Sequence, residues 1–244
     1  MSQGMSPAMD RLCIHTITTK PWNIHQCIDN YRSIGAGGIS VWRDALKGED
    51  PARIGEKISA SGLHAVSLVR GGFFTYPGDK ASEQAFSDNL RALEECAAIG
   101  SDLLVLVCGA TPGNSVAKNL GQIRSGIEAL LPHAEKLGVR LGIEPLHPMY
   151  ADTRSSVVTM ACAMDLCDAI DSPSVGVTVD VFHVWWDEHL GENIRRCARR
   201  GKLFSFHICD WKTDMTDMLN DRGLMGEGVI DIPRIRAWGE ETGF

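Results

Sequence analysis

The chain lacks long stretches of any one kind. Its longest strongly apolar run, Leu103 to Cys108, is far too short to span a bilayer, so no membrane partner is expected. Lysine and arginine number 24 against 31 aspartates and glutamates, and no basic stretch is long enough to follow a phosphate backbone, so no nucleic-acid partner is expected. The densest basic cluster, Arg195, Arg196, Arg199, Arg200 and Lys202, falls at the end of a predicted helix. Cations there complement the helix dipole, and the cluster reads as a solvated helix end. The opening MSQGMSPAMD has neither the basic nor the apolar region of a signal peptide. None of the eight cysteines (Cys13, Cys27, Cys96, Cys108, Cys162, Cys167, Cys197 and Cys209) forms a CxxC pair. Several lie in apolar segments, where a free thiol behaves as a small hydrophobe, which fits a reducing, cytoplasmic setting better than a disulfide framework. Low-complexity segments and linkers are also missing. A flexible tail is expected over 1–10 and a single domain over 11–244.

One phrase recurs. An amphipathic segment ends, a glycine follows, and a short apolar strand begins: SIGAGGISVW (33–42), ASGLHAVSLV (60–69), AIGSDLLVLV (98–107), KLGVRLGI (136–143) and RGKLFSFH (200–207). DSPSVGVTVD (171–180) does the same with Ser-Pro as the stop. Glycine just past a helix terminates it, and the apolar run after it reads as a buried strand. Between strands, 114–137, 80–99 and 155–170 carry apolar residues at helical spacing, with Ser82-Glu83 and Thr153 as candidate caps. Strand-end residues fall at His15 or Thr16, Arg43, Arg70, Gly109, Glu144, Asp180 and His207. Alternating strands and helices with short connections predict a parallel sheet. Seven such units, without a G-x-G-x-x-G turn, point to an α/β fold of the (β/α)8 TIM-barrel class rather than a doubly wound sheet. The eighth strand is missing: the helix-glycine signal GEETGF ends the chain, and a native chain is expected to continue past Phe244 with a strand bearing a carboxylate.

Side chains at the C-terminal ends of barrel strands converge on one pocket. Strand five runs into Glu144, strand six ends on Asp180 and strand seven on His207. Two carboxylates and an imidazole at equivalent points form an open divalent-metal site; their mixed oxygen and nitrogen donors suit Mn, Mg, Co or Zn. The bland alternative, a buried Glu/Asp/His hydrogen-bond cluster, must hold two like charges close together without a cation. His147 and His183 each lie three residues past a candidate ligand. Asp210, three past His207, is placed to take that ring's other proton. Trp185, Trp186 and Trp211 gather in the loops, where aromatics stack on sugar rings or on one another. Arg43, Arg70 and two phenylalanines sit at the rim, and Gly71-Gly72 either lets backbone approach a ligand or makes a turn. NDRGLMGEGVIDI (220–232), with Arg222 in it, reads as a pocket cover. Cys108 and Cys209 read as packing.

The segments IEPLHP, VDVFHVWW, FHICDW and GEGVIDIPRI resemble the xylose-isomerase-like TIM-barrel superfamily, the sugar phosphate isomerases and epimerases, over essentially the whole chain. The resemblance implies a divalent metal, manganese first, on Glu144, Asp180, His207 and a second glutamate ending strand eight. It implies a small sugar or keto-sugar as substrate, isomerised or epimerised by proton transfer beside a carbonyl through an enediolate. Glu144, with His147 and His183, would carry the catalysis. His183, Trp185, Trp186, Arg222 and Arg70 would bind substrate, and Asp210 would support the ligands. The Glu-Pro-Leu-His-Pro variant and the Trp pair also resemble the barrel subunit of C-glycoside deglycosidases, which act on sugars oxidised at C3. This chain departs from the family in one respect: the strand-eight glutamate is not in it.

Physically, a C–H beside a carbonyl is too weak an acid for neutral pH. A metal on the carbonyl oxygen stabilises the enediolate, and a carboxylate or histidine moves the proton. A related barrel serves apurinic-site endonucleases, but the acidic balance and the absence of a basic groove argue against that class. A non-catalytic or truncated barrel is the third reading. The homo-oligomeric state stays open.

Overall fold

The computed structural model describes residues 9–244. The expected tail over 1–10 therefore lies, as far as residue 8, outside the described residues. The strands are β1 (Cys13–His15), β2 (Gly38–Trp42), β3 (His64–Gly72), β4 (Leu103–Val107), β5 (Arg140–Ile143), β6 (Val175–Asp180) and β7 (Leu203–His207). They are ordered β1 to β7 in one sheet, as a TIM barrel demands, and no eighth strand occurs among the described residues. Helices α1 (Ile24–Ser33), α2 (Pro51–Ser61), α3 (Asp79–Ala98), α4 (Val116–Leu137), α5 (Met160–Ile170), the short α6 (Val181–Val184), α7 (Leu190–Arg199) and α8 (Ile232–Glu240) fill the connections.

The described residues fall into two compact units. The first comprises the chain up to Gly71 with 86–105 and 130–140. Here β1 pairs with β2 and β2 with β3, all parallel. Local chemistry sets its helices: Asn23 and Gln26 form a capping box on α1, and Asp50 with Pro51 starts α2. Arg43, expected at the rim, is bound instead to α3. Its guanidinium reaches Glu95 Oε2 at 2.6 Å and Asp88 Oδ2 at 2.9 Å. Arg70 lies near the end of β3 in this unit, half-buried.

The second unit comprises 72–85, 106–129 and 141–244. β5 pairs with β6 and β6 with β7, again parallel. Every residue of β6 is buried, Thr178 and Asp180 included, as in a parallel strand covered on both faces. Gly72, the last residue of β3 at φ +108°, is needed for a close backbone approach: a Cβ there would stand 2.0 Å from the Val107 carbonyl oxygen. Of the two phenylalanines, Phe73 is exposed and Phe74 is buried.

Helix starts differ from expectation. Thr153 does not cap α5, which begins at Met160 on the Thr159 hydroxyl, 3.1 Å from the Cys162 N–H. The preceding backbone is already committed, because Gly109 donates to the Arg154 carbonyl at 2.9 Å and accepts from Ser156 N–H at 3.0 Å. Ser82 and Glu83 lie inside α3 rather than before it. The basic cluster lies at the solvent-facing end of α7, as expected, and adds surface ion pairs: Arg196 and Arg200 pair with Asp168 of α5, and Arg195 pairs with Glu241. Lys202 donates to the carbonyls of Ser172 and Val175. No helix among the described residues is long and apolar enough to cross a membrane.

Candidate metal and substrate site

The site lies within the second unit. Asp180 and His207 are direct partners in the β6–β7 register, so parallel pairing alone sets them side by side. Glu144 follows β5, and its N–H donates to the Leu106 carbonyl at 3.1 Å, which fixes the backbone where the acid begins. Glu144 and Asp180 are each only 7% exposed. Each of Glu144, Asp180 and His207 offers a ligand atom, and these atoms all lie within 4.8 Å of one another. His207 Nδ1 stands 3.3 Å from Glu144 Oε1.

Arg222 is the guanidinium beside these acids. Its Nη1 is 3.1 Å from Asp180 Oδ2, its Nε donates to the Met218 carbonyl at 3.0 Å, and its Cζ lies 3.9 Å from the Phe182 ring centre. Burial works against the Asp180 charge, but His183, Arg222 and His207 outweigh it and hold this carboxyl below the usual range. A pair of buried carboxylates with an imidazole, one acid already charge-paired, is a donor set that suits a divalent cation. The residues present fit such an ion.

His183 is buried, and burial holds its pKa below the ordinary value. Its Nδ1 accepts the backbone N–H of His147 at 3.3 Å, so the neutral ring carries its proton on Nε2. Its 3.4 Å approach to Arg222 Nη2 is then a contact of two N–H groups rather than a hydrogen bond. The three tryptophans do gather. Trp211 lies 4.8 Å from Phe182, 5.6 Å from Trp185 and 5.0 Å from His147, with Trp186 6.0 Å from the same histidine. Trp186 Nε1 donates to the His183 carbonyl at 2.8 Å. The cysteines are free thiols; burial pushes Cys209 up to about 12, as expected of a packing residue.

A model of the xylose isomerase-like TIM barrel matches residues 28–244. The chain belongs to that family. Among solved structures, a protein of Sinorhizobium meliloti 1021 is 42% identical, with TM-score 0.91, covering 96% of this chain and 86% of its own. The IolI protein, solved with a binding zinc atom, is 21% identical at TM-score 0.82, with 96% of this chain and 86% of its own covered. L-ribulose 3-epimerase is 20% identical at TM-score 0.76, over 96% and 78% respectively. At those last two identities the likeness shows the fold. A comparison with curated proteins gives no match.

Within this xylose isomerase-like chain, Asp210 differs from expectation. Where the spacing suggested that it orients His207, its hydrogen bonds go to loop backbone. Oδ1 accepts the N–H groups of Trp211 and Ile230 at 2.9 and 3.0 Å, and Oδ2 accepts that of Gly226 at 2.9 Å. These bonds fold the expected pocket cover back on the segment that follows β7. A Cβ at Gly228 would stand 2.4 Å from Asp210 Oδ1, so only glycine fits there. Sequence reasoning missed Phe182, which carries Arg222, and Tyr150, whose ring is 5.9 Å from His183. Phe182 was findable, since it sits inside the VDVFHVWW segment next to Asp180.

Proposed function

We propose that the chain is a divalent-metal-dependent sugar isomerase or epimerase. One observation carries it: two carboxylates and an imidazole, from the ends of three neighbouring strands, stand with their ligand atoms within 4.8 Å of one another in a nearly water-free place. Glu144, Asp180 and His207 would hold the ion, with manganese first and Mg, Co or Zn as alternatives. When bound, the ion supplies positive charge to the oxygen that becomes anionic as the neighbouring carbon loses its proton.

The chain's own groups do the rest. Glu144 takes the proton beside the carbonyl, leaving an enediolate. Return of the proton to the neighbouring carbon gives the isomer, and return to the opposite face gives the epimer. His183 offers Nε2–H to a substrate oxygen, and Arg222 keeps Asp180 ionised. Small keto-sugars are the substrate class. The aromatic wall around His147 favours a second reading, cleavage of a 3-keto glycoside, because a leaving ring would find stacking partners there.

The test is solvent exchange. Protein loaded with Mn²⁺ is incubated in D₂O with L-ribulose, D-allulose, an inosose and a 3-keto glucoside, and deuterium on carbon is read by NMR. Incorporation with a rearranged sugar supports the isomerase, and a released aglycone supports the lyase. No incorporation into any of the four would overturn both.

A further inference from the structure

Resting on that proposed chemistry, we infer that His147 is a fixed hydrogen-bond donor to a substrate oxygen and not an acceptor of the substrate's proton. The local backbone decides this. Pro148 has no N–H, so the first free donor of the short turn Pro148–Tyr150 is Met149. That N–H donates to His147 Nδ1 at 3.2 Å, so the ring caps its own turn. A ring nitrogen that accepts a hydrogen bond carries no proton, and the neutral imidazole then holds its hydrogen on Nε2. A base needs a lone pair facing the carbon acid. Here the one lone pair of the neutral ring is spent on Met149, and a proton arriving at Nδ1 would break the cap. Burial reinforces this by holding the ring below the ordinary histidine range.

The ring is also held in place. Its own backbone N–H is bonded to His183 Nδ1 at 3.3 Å, and the imidazole lies between Trp211 and Trp186, 5.0 and 6.0 Å away. Its Nε2–H has no hydrogen-bond acceptor among the described residues. A second donor in the same wall shares that condition: the indole Nε1 of Trp185 is buried and has no partner among the described residues. Donors without acceptors, set among aromatic faces, suit a ligand with oxygens on its edges and C–H groups on its faces, which is a sugar.

The experiment reads the ring directly. In protein labelled with ¹⁵N-histidine, two-bond ¹H–¹⁵N correlation at neutral pH, assigned with His147→Gln, should show Nε2 protonated and Nδ1 bare. A proton on Nδ1 would overturn the inference, and this measurement needs no ligand. Calorimetry then uses Mn²⁺-loaded protein with L-ribulose and D-allulose. His147→Gln places an amide N–H near the Nε2 position and should hold the dissociation constant within about threefold. His147→Asn reaches only the Nδ1 position and should weaken binding by about tenfold or more. Equal losses in the two variants, or none in either, would overturn the donor role, with circular dichroism confirming that both fold. Failure of the loaded wild type to bind either ketose overturns the substrate assignment, and the ring spectrum still decides donor against acceptor.

Discussion

The carboxylate pair at Arg43 and the pair at Glu144 and Asp180 are built in opposite ways. In the first unit Arg43 lies against Asp88 and Glu95, with four N–H···O contacts between 2.6 and 3.3 Å. The guanidinium fork matches both acids, and the cluster is shared with solvent. In the second unit Glu144 and Asp180 are nearly dry, and the guanidinium beside them, Arg222, reaches Asp180. A closed network of the first kind adds stability and offers no room for a ligand. A buried acid pair without a matching fork costs stability, and proteins keep such sites where an ion or a reaction repays the cost. Residue type alone does not separate the two; the geometry of the cation does.

The comparison breaks most sharply at Glu144. Glu144→Gln keeps the shape and removes the base, so deuterium incorporation should fall by a factor on the order of 10² to 10⁴ while the far-ultraviolet circular dichroism stays unchanged. Wild-type incorporation in that variant would mean the proton goes elsewhere. Asp180→Ala and His207→Ala come next. Each should lower Mn²⁺ affinity by at least about tenfold, read by elemental analysis after dialysis. Full metal content in both would show that the three residues are a hydrogen-bond cluster.

Metal addition sharpens the contrast further. An ion that binds only the folded chain at about 100 times its dissociation constant adds about 2.7 kcal/mol. Thermal unfolding of the wild type should therefore shift upward with Mn²⁺, and that of Asp180→Ala should shift by about half as much or less. Arg43→Ala should behave in reverse. It should cost about 1–2 kcal/mol in denaturant titration, because Glu95 loses its cation and Asp88 keeps only Arg91, yet keep the whole metal-induced shift.

Much of this was legible in the sequence, for physical reasons that differ by residue. The repeated glycine-then-strand phrase exposes each helix end, so strand ends such as Asp180 and His207 could be counted, and parallel pairing carried them to one side. The rest depended on partners distant in the chain. The start of α5 moved because Ser156 and Arg154 spend their backbone groups on Gly109, far earlier in the chain. Asp210 looked like a partner for His207 at three residues' spacing, but a loop closing from Gly226 to Ile230 took its oxygens. Arg43 read as a rim residue because nothing local names Asp88 and Glu95 as its partners. His147 is the opposite case: a side-chain acceptor just before proline is a local capping signal, and it could have been read from His-Pro-Met alone.

The smallest expected effect lies in acid. The hydrogen bond from Arg43 holds the Asp88 carboxyl below its usual range, although burial pulls the other way. A group depressed in the folded state contributes stability above its unfolded pKa, about 3.9 for aspartate, and loses it as pH falls through the folded value. Arg43→Ala removes the larger share of that contribution and leaves that of Arg91, 2.6 Å from Asp88 Oδ1. The gap in stability between wild type and variant should then be constant from neutral pH down to about pH 5 and narrow below about pH 4, as protons replace the guanidinium on the acid. Asp88 is 46% exposed in its side chain, so solvent screens the pair and the narrowing should be a fraction of the total cost of the substitution. Denaturant titrations of both proteins across that range measure it. A gap that stays constant into acid would mean that Arg43 matters through packing of its stem against α3, and that the network's charge adds little.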